Sequence, residues 1–203
     1  MASLKLCVFQ GTFNPIHNAH LDICEYLKRN SFCEKILFIP AYKPPHKDTA
    51  PDILRHRLNM VKIATEDIEY AEVSSVEYER EEISYTLDTI KELYKKYDVD
   101  GRINFIIGTD AFEKIETWYK TDELKELVDF VLFLREDKTS FEKAKIENPA
   151  LAVRGYNYKL MDLPFNDISS SYIRERVGQN LAITGLVPQK VEDYIKENEL
   201  YKS

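Results

Sequence analysis

Glycine is scarce in this chain, six residues in 203, and no GxGxxG stretch occurs. The Gly-rich pyrophosphate turn of dinucleotide oxidoreductases is therefore missing, and hydride transfer loses support. Cysteine is scarcer: Cys7, Cys24 and Cys33 are scattered, without the short Cys/His spacing of a zinc site. Unpaired-looking thiols on or beside regular elements suit a reducing, cytoplasmic setting. No apolar run approaches the roughly 20 residues that span a bilayer. Residues Met1 to Lys5 lead straight into an apolar segment, with no signal-peptide pattern, so no membrane partner is expected. Positive charge is in deficit, 28 Lys and Arg against 35 Asp and Glu, and no basic stripe offsets the net −7, which argues against a nucleic-acid polymer as partner. What remains, 44% apolar and 31% charged, is a globular balance with chain enough for one domain over residues 1–203.

Short apolar runs alternate with helical patterns. Strands are expected at 4–9, 35–39, 71–76, 103–107, 129–134 and 158–163. Helices are expected at 52–66 and 121–127, and from Thr86 to Tyr97, where Leu87, Ile90, Tyr94 and Tyr97 recur at spacings of three and four. Such alternation predicts an α/β fold, a doubly wound parallel sheet with flanking helices and right-handed crossovers. The C-terminal part, from about 168, reads as helical. Residues 137–157 carry the least pattern and are expected to be a surface excursion. No internal repeat or Gly/Ser linker divides the chain. Gly11 and Gly108 fall just past two predicted strands, where open α/β sheets receive ligands.

The most informative stretch is LKLCVFQGTFNPIHNAHLDIC, residues 4–24. A nearly unbroken apolar run suits a strand covered on both faces. Gly11 allows a sharp turn and close backbone approach. Pro15 disfavours helix at Asn14, so a helix is expected to start near Asn18. His17 and His20, three apart, then share one side of its first turn. Unpaired N–H groups there favour phosphate oxygens, and two imidazoles add donors that can become cationic as charge grows on a reacting phosphate. A partly buried structural histidine, or half of a metal site, are the competing readings of the same pair.

Other stretches carry weaker signals. Lys43-Pro44-Pro45-His46-Lys47 displays three potential cations on a stiff loop, for phosphate or only for solvent. Ser84-Tyr85-Thr86 opens the best-patterned helix, whose N–H groups would favour a small carboxylate, while Ser84 or Thr86 can also be a plain cap. Trp118, the only Trp, and Tyr119 can stack on a flat ring or anchor the core. Asp110 can accept from a ribose hydroxyl or cap a helix. Ser169-Ser170-Ser171, with Arg174 one turn on, can clamp an oxyanion or simply start a helix.

GTFNPIHNAH resembles the signature of the nucleotidyltransferase superfamily. The ordered set IPAYKPPHK, SYT, FIIGTD, TWY, ISSSYIRERV and VPQKVEDYIKENELY is similar to the bacterial nicotinate-nucleotide adenylyltransferases over nearly the whole chain. The resemblance implies a Rossmann-like fold and transfer of AMP from ATP to nicotinate mononucleotide in NAD biosynthesis, with pyrophosphate leaving. It implies ATP contacts at Gly11, Thr12, Phe13, His17, His20, Gly108, Asp110, Ser170 and Arg174, and mononucleotide contacts at Lys43, His46, Tyr85, Thr86, Trp118 and Tyr119. His17 and His20 would hold the phosphates, helped by Lys43 and Arg174. Mg²⁺ would ride on ATP, with no protein metal ligand. A homo-oligomer stays open. Four positions depart from the family pattern: Gln10 for a usual first Gly, Asn14 for a common Asp, Ala19 for the Gly between the histidines, and Ser171 for a Thr. Gln10 would restrict backbone approach or add an amide contact. The competing functions are an adenylyltransferase acting on nicotinamide mononucleotide or phosphopantetheine, a nucleotide binder without turnover, and a His-metal protein.

Overall fold

Leu6, Cys7 and Val8 are all fully buried although successive strand residues face opposite sides, so both faces of the first strand must be covered. The computed structural model, which describes residues 3–45, 50–133, 155–161, 163 and 168–202, shows how. Six strands, β1 (Leu6–Gly11), β2 (Lys35–Pro40), β3 (Ala71–Val73), β4 (Ile103–Gly108), β5 (Val128–Phe133) and β6 (Tyr158–Met161), form one parallel sheet in the order β3-β2-β1-β4-β5-β6. This is the doubly wound order whose direction reverses between β1 and β4. Helices α1 (Asn18–Arg29), α2 (Pro51–Thr65), α3 (Val76–Arg80), α4 (Thr86–Lys96), α5 (Thr109–Phe112), α6 (Thr121–Leu127), α7 (Ser170–Gly178) and α8 (Gln189–Glu197) accompany it among the described residues, with a 3₁₀ turn at Ile115–Thr117.

Two apolar cores follow from the strand alternation. Cys7, Phe9, Ile36, Phe38, Ile106 and Val131 pack on one face with residues of α1, α2 and α8. Leu6, Val8, Leu37, Ile39, Phe105 and Phe130 pack on the other with Leu87, Ile90 and Leu93 of α4 and Leu124 of α6. The three thiols lie in the first core, free and buried. A hydrogen bond with Cys33, together with burial, holds the Cys7 thiol far up, and burial does the same for Cys24.

At the switch point the pairing is short. β1 and β2 are in register over six residue pairs, but β1 and β4 pair only at Cys7 with Asn104 and Val8 with Phe105. Beyond these pairs the two strands run on to Gly11 and Gly108, the last residues of their strands rather than the first beyond them. A crevice opens there.

Elsewhere the expected boundaries shift. The strand expected at 71–76 stops at Val73, and α3 begins at Val76. Serines account for the break, since Ser74 Oγ accepts from Val76 N–H at 3.3 Å and Ser75 O accepts from Tyr78 N–H at 2.8 Å. The first strand begins at Leu6, with Leu4 only bridging to Val99. A helix does follow Gly108, as the capping alternative at Asp110 allowed, though Gly108 itself is its cap; the 3₁₀ turn has no counterpart in the sequence reading. Among the described residues no helix is long and apolar enough to cross a membrane. Most of 137–157, and the ends of the strands expected at 129–134 and 158–163, lie outside the described residues.

Candidate active site

α1 starts at Asn18, and its first turn sets the two histidines together. The rings of His17 and His20 stack with centroids 3.6 Å apart and planes 30° apart. His17 is 2% exposed, and its backbone N–H donates to His20 Nδ1 at 3.2 Å. That bond requires a lone pair on Nδ1, so the neutral His20 ring carries its proton on Nε2.

Gly11 serves its neighbour. A methyl group there would meet the Phe13 ring at 3.0 Å, so the missing side chain makes room for a ring that is itself buried. Phe13 has a left-handed backbone, φ 46°, and its ring lies edge-on to His20 at 5.1 Å and to Phe9 at 5.4 Å. The ring belongs to the core, although the residue also borders the cleft.

The loop between β1 and α1 is held from three directions. Arg57 of α2, fully buried, donates through Nη1 to Thr12 O at 2.8 Å and Ala41 O at 2.6 Å, and through Nη2 to Tyr42 O at 3.0 Å. One guanidinium thereby ties the ends of β1 and β2 together. Burial draws its pKa down, opposed by Tyr78, Tyr201 and Glu77. From α7, Ser170 Oγ donates to Pro15 O and Arg174 Nη1 to Asn14 O, both at 2.8 Å. From the end of the chain, the Tyr201 hydroxyl donates to Asn14 Oδ1 at 2.7 Å. Ser169, rather than Ser170, caps α7 by accepting from Tyr172 N–H.

The opposite wall contains Tyr85, Thr86, Trp118 and Tyr119. Tyr85 and Tyr119 stack at 4.4 Å, and Tyr119 is 44% exposed. Trp118 packs edge-on against Phe105 at 6.1 Å. Behind this wall lies Glu77, fully buried in α3. Its Oε1 accepts from Gln10 Nε2 at 2.5 Å and from Thr89 Oγ1 at 2.7 Å, and its Oε2 accepts from Tyr42 N–H at 3.1 Å.

A cleft of about 1530 Å³ spans both walls. It is bordered by Gly11, Thr12, Phe13, His17, His20, Tyr85, Thr86, Gly108, Asp110, Trp118, Tyr119, Ser170 and Arg174, which brings together nearly every residue singled out above. Asp110 sits in the first turn of α5, behind the Gly108 cap. Lys43 is the exception. It does not border the cleft; its ammonium lies 5.1 Å from the centre of the Tyr42 ring, and its N–H donates to Ser84 Oγ at 3.0 Å. The physical reason is the short bridge between Lys43 and Ile83, which commits the backbone there and leaves the side chain to the neighbouring tyrosine. His46 lies outside the described residues. Among the described residues no group of three or more His, Cys, Asp or Glu could hold a metal.

Arg57, Glu77 and Tyr201 escaped the sequence reading. Arg57 had a usable signal, because with Met60 and Val61 it falls on the buried stripe of α2. Glu77 and Tyr201 carry no such mark.

The cytidylyltransferase-like family model matches residues 8–176. Over 199 residues the chain is 37% identical to the "Probable nicotinate-nucleotide adenylyltransferase" of Streptococcus pneumoniae, covering 96% of this chain and 87% of that protein. The chain belongs to the nicotinate-nucleotide adenylyltransferase family. A Staphylococcus haemolyticus member of that name is 34% identical over 205 residues, with all of both chains covered. Among solved structures, Plasmodium falciparum nicotinic acid mononucleotide adenylyltransferase complexed with NaAD matches at a TM-score of 0.74 and 21% identity, over 97% of this chain and 96% of that one. That likeness speaks for the fold, a Rossmann-like parallel sheet flanked by helices.

Proposed function

We propose that this protein transfers AMP from ATP–Mg²⁺ to nicotinate mononucleotide, giving nicotinate adenine dinucleotide and pyrophosphate, a step of NAD biosynthesis in the cytoplasm. The observation that carries the reading is the stacked His17–His20 pair at the start of α1, bordering the cleft where β1 and β4 part.

In the reaction a phosphate oxygen of the mononucleotide attacks the α-phosphorus of ATP. A new P–O bond forms as the bond to the bridging oxygen breaks, and its electron pair leaves with pyrophosphate. No side chain acts as nucleophile. The protein positions two substrates and answers charge on the non-bridging and leaving oxygens. His17 and His20 serve as phosphate donors. Arg174 and Ser170 hold the Asn14–Pro15 carbonyls that shape the phosphate loop, and Arg174 adds positive charge at the cleft. Gly11, Thr12, Phe13 and Gly108 offer backbone to ATP, and Asp110 accepts from its ribose. Tyr85, Thr86, Trp118 and Tyr119 receive the pyridine ring. Lys43 and His46 are assigned to the mononucleotide on the family resemblance of the KPPHK stretch, Lys43 lying outside the cleft lining. Mg²⁺ enters as part of the ATP substrate and neutralises phosphate charge.

The test is pyrophosphate release from ATP–Mg²⁺ with nicotinate mononucleotide, nicotinamide mononucleotide or phosphopantetheine as acceptor. The acid is expected to be used best. Binding of ATP with no release for any acceptor would instead mark a nucleotide binder and end this reading.

A further inference from the structure

Gln10 stands at the end of β1 with its side chain between a buried carboxylate and the pyridine wall. Its orientation is forced. Glu77 Oε2 accepts from the Tyr42 N–H, which can only donate, and the Oε1 of a carboxylate can only accept, so the Gln10 group beside it must be the NH₂. Turning the Gln10 amide over would set two oxygens against each other at 2.5 Å, so the NH₂ faces Glu77 and the carbonyl faces away. That carbonyl, Oε1, lies 2.7 Å from Thr86 Oγ1. A carbonyl cannot donate, so the Thr86 hydroxyl must give it its only proton. The chain of constraints runs from a carboxylate, through an amide, to the direction of one hydroxyl hydrogen.

Gln10 and Thr86 both border the cleft. A hydroxyl whose proton is already committed can meet a ligand only as an acceptor. We propose that Gln10 is a specificity-determining positioning residue: by taking the Thr86 proton it makes this hydroxyl an acceptor toward the pyridine substituent, which opposes a carboxylate and suits a carboxamide NH₂. The proposal rests on the adenylyltransferase reading above. The N–H groups at the start of α4 favour the acid, and the committed hydroxyl works against them, so the acid preference is held below what the helix start alone would give. Removing the Gln10 amide frees the hydroxyl to rotate and donate to the carboxylate. Glu77 keeps Thr89 and Tyr42 as partners, so the buried carboxylate is not stranded.

The experiment compares kcat/KM for nicotinate and nicotinamide mononucleotides, with ATP–Mg²⁺, in the full chain and in Gln10→Met, Gln10→Ala, Thr86→Val and the Gln10→Met/Thr86→Val double variant. Gln10→Met keeps the length of the side chain and removes the amide. It is expected to raise the acid-to-amide ratio about tenfold, the range of a hydrogen bond to a charged group. Gln10→Ala should move it the same way, and either one suffices should the other fold poorly. The sign reversal at Thr86 is the sharper readout. With Gln10 present, Thr86→Val should lower amide use more than acid use; with Met at position 10, the larger loss should fall on the acid, which gives up most of its gain. A general loss of structure would lower both substrates together and could not produce that reversal. A ratio that stays within about twofold in both Gln10 variants, or a Thr86→Val protein with Gln10 present that loses the acid more than the amide, overturns the proposal while the adenylyltransferase reading stands. If neither mononucleotide yields pyrophosphate, both readings fall.

Discussion

The wall of the cleft built from the β1–α1 loop and α7 is tied down by charged and hydroxyl donors on backbone carbonyls, whereas the facing wall is built from rings in front of one buried carboxylate. Arg57, Ser170 and Arg174 fix the carbonyls of Thr12, Pro15 and Asn14, and each such bond prefers a narrow direction. Tyr85, Tyr119 and Trp118 meet by stacking and edge contacts, which tolerate sliding far better. The contrast suits two tasks. Charge that develops on a phosphate in the transition state needs donors already in place, while a flat ring needs area and only approximate alignment. Damage to the first wall should therefore fall on turnover, and damage to the second on affinity.

Arg57→Leu is the hardest test of the first wall. It strands three loop carbonyls, and a loss of about 3 kcal/mol or more is expected in urea unfolding, with kcat falling further than KM rises. Unfolding at wild-type urea concentrations would show that the guanidinium does not hold the loops. His20→Ala should retain the fold by circular dichroism and lose on the order of 100-fold in turnover. Activity within a few-fold of wild type would remove His20 from the chemistry. On the second wall, Tyr119→Ala should raise KM for the mononucleotide about fivefold with kcat nearly unchanged, in keeping with an aromatic contact. A fall in kcat with unchanged KM would erase the distinction between the walls.

The smallest effect is expected away from both, at Glu72 on the β3 edge of the sheet. Burial acts to raise its pKa, but hydrogen bonds from Lys35 and Tyr97 override that and hold it below 4.5. The stabilisation is therefore full above 4.5 and fades as pH falls through the lowered folded-state value. Glu72→Gln should cost under about 1 kcal/mol at neutral pH, since the pair is partly exposed, and the two proteins should converge in acid. A gap that persists in acid would point to packing instead of charge.

The legible parts of the molecule were those with local signatures. The His17–His20 spacing, the Pro15 punctuation and the α4 stripe each depend on neighbours a few residues away, and the positions of α1 and α4 follow from them. Strand order was legible as a class, because alternation of strand and helix leaves few parallel topologies. The side-chain ties were not legible. Glu77 sits in a run of charged residues that looks solvated, and only its bonds to Gln10, Tyr42 and Thr89, all distant in sequence, show it to be buried. The strand expected over 71–76 ends early because the Ser74 hydroxyl offers the Val76 N–H a local partner, which a pattern of apolar runs does not reveal. Lys43 was placed on the correct loop, but no local pattern says which way its stem turns.

The tie from Tyr201 to Asn14 spans 187 positions of chain, and those from Arg174 and Ser170 to the same loop span 160 and 155. During synthesis from the ribosome the loop emerges well before these three fasteners. In the interval the loop must exist without them, and its final shape waits on chain made 155 or more positions later.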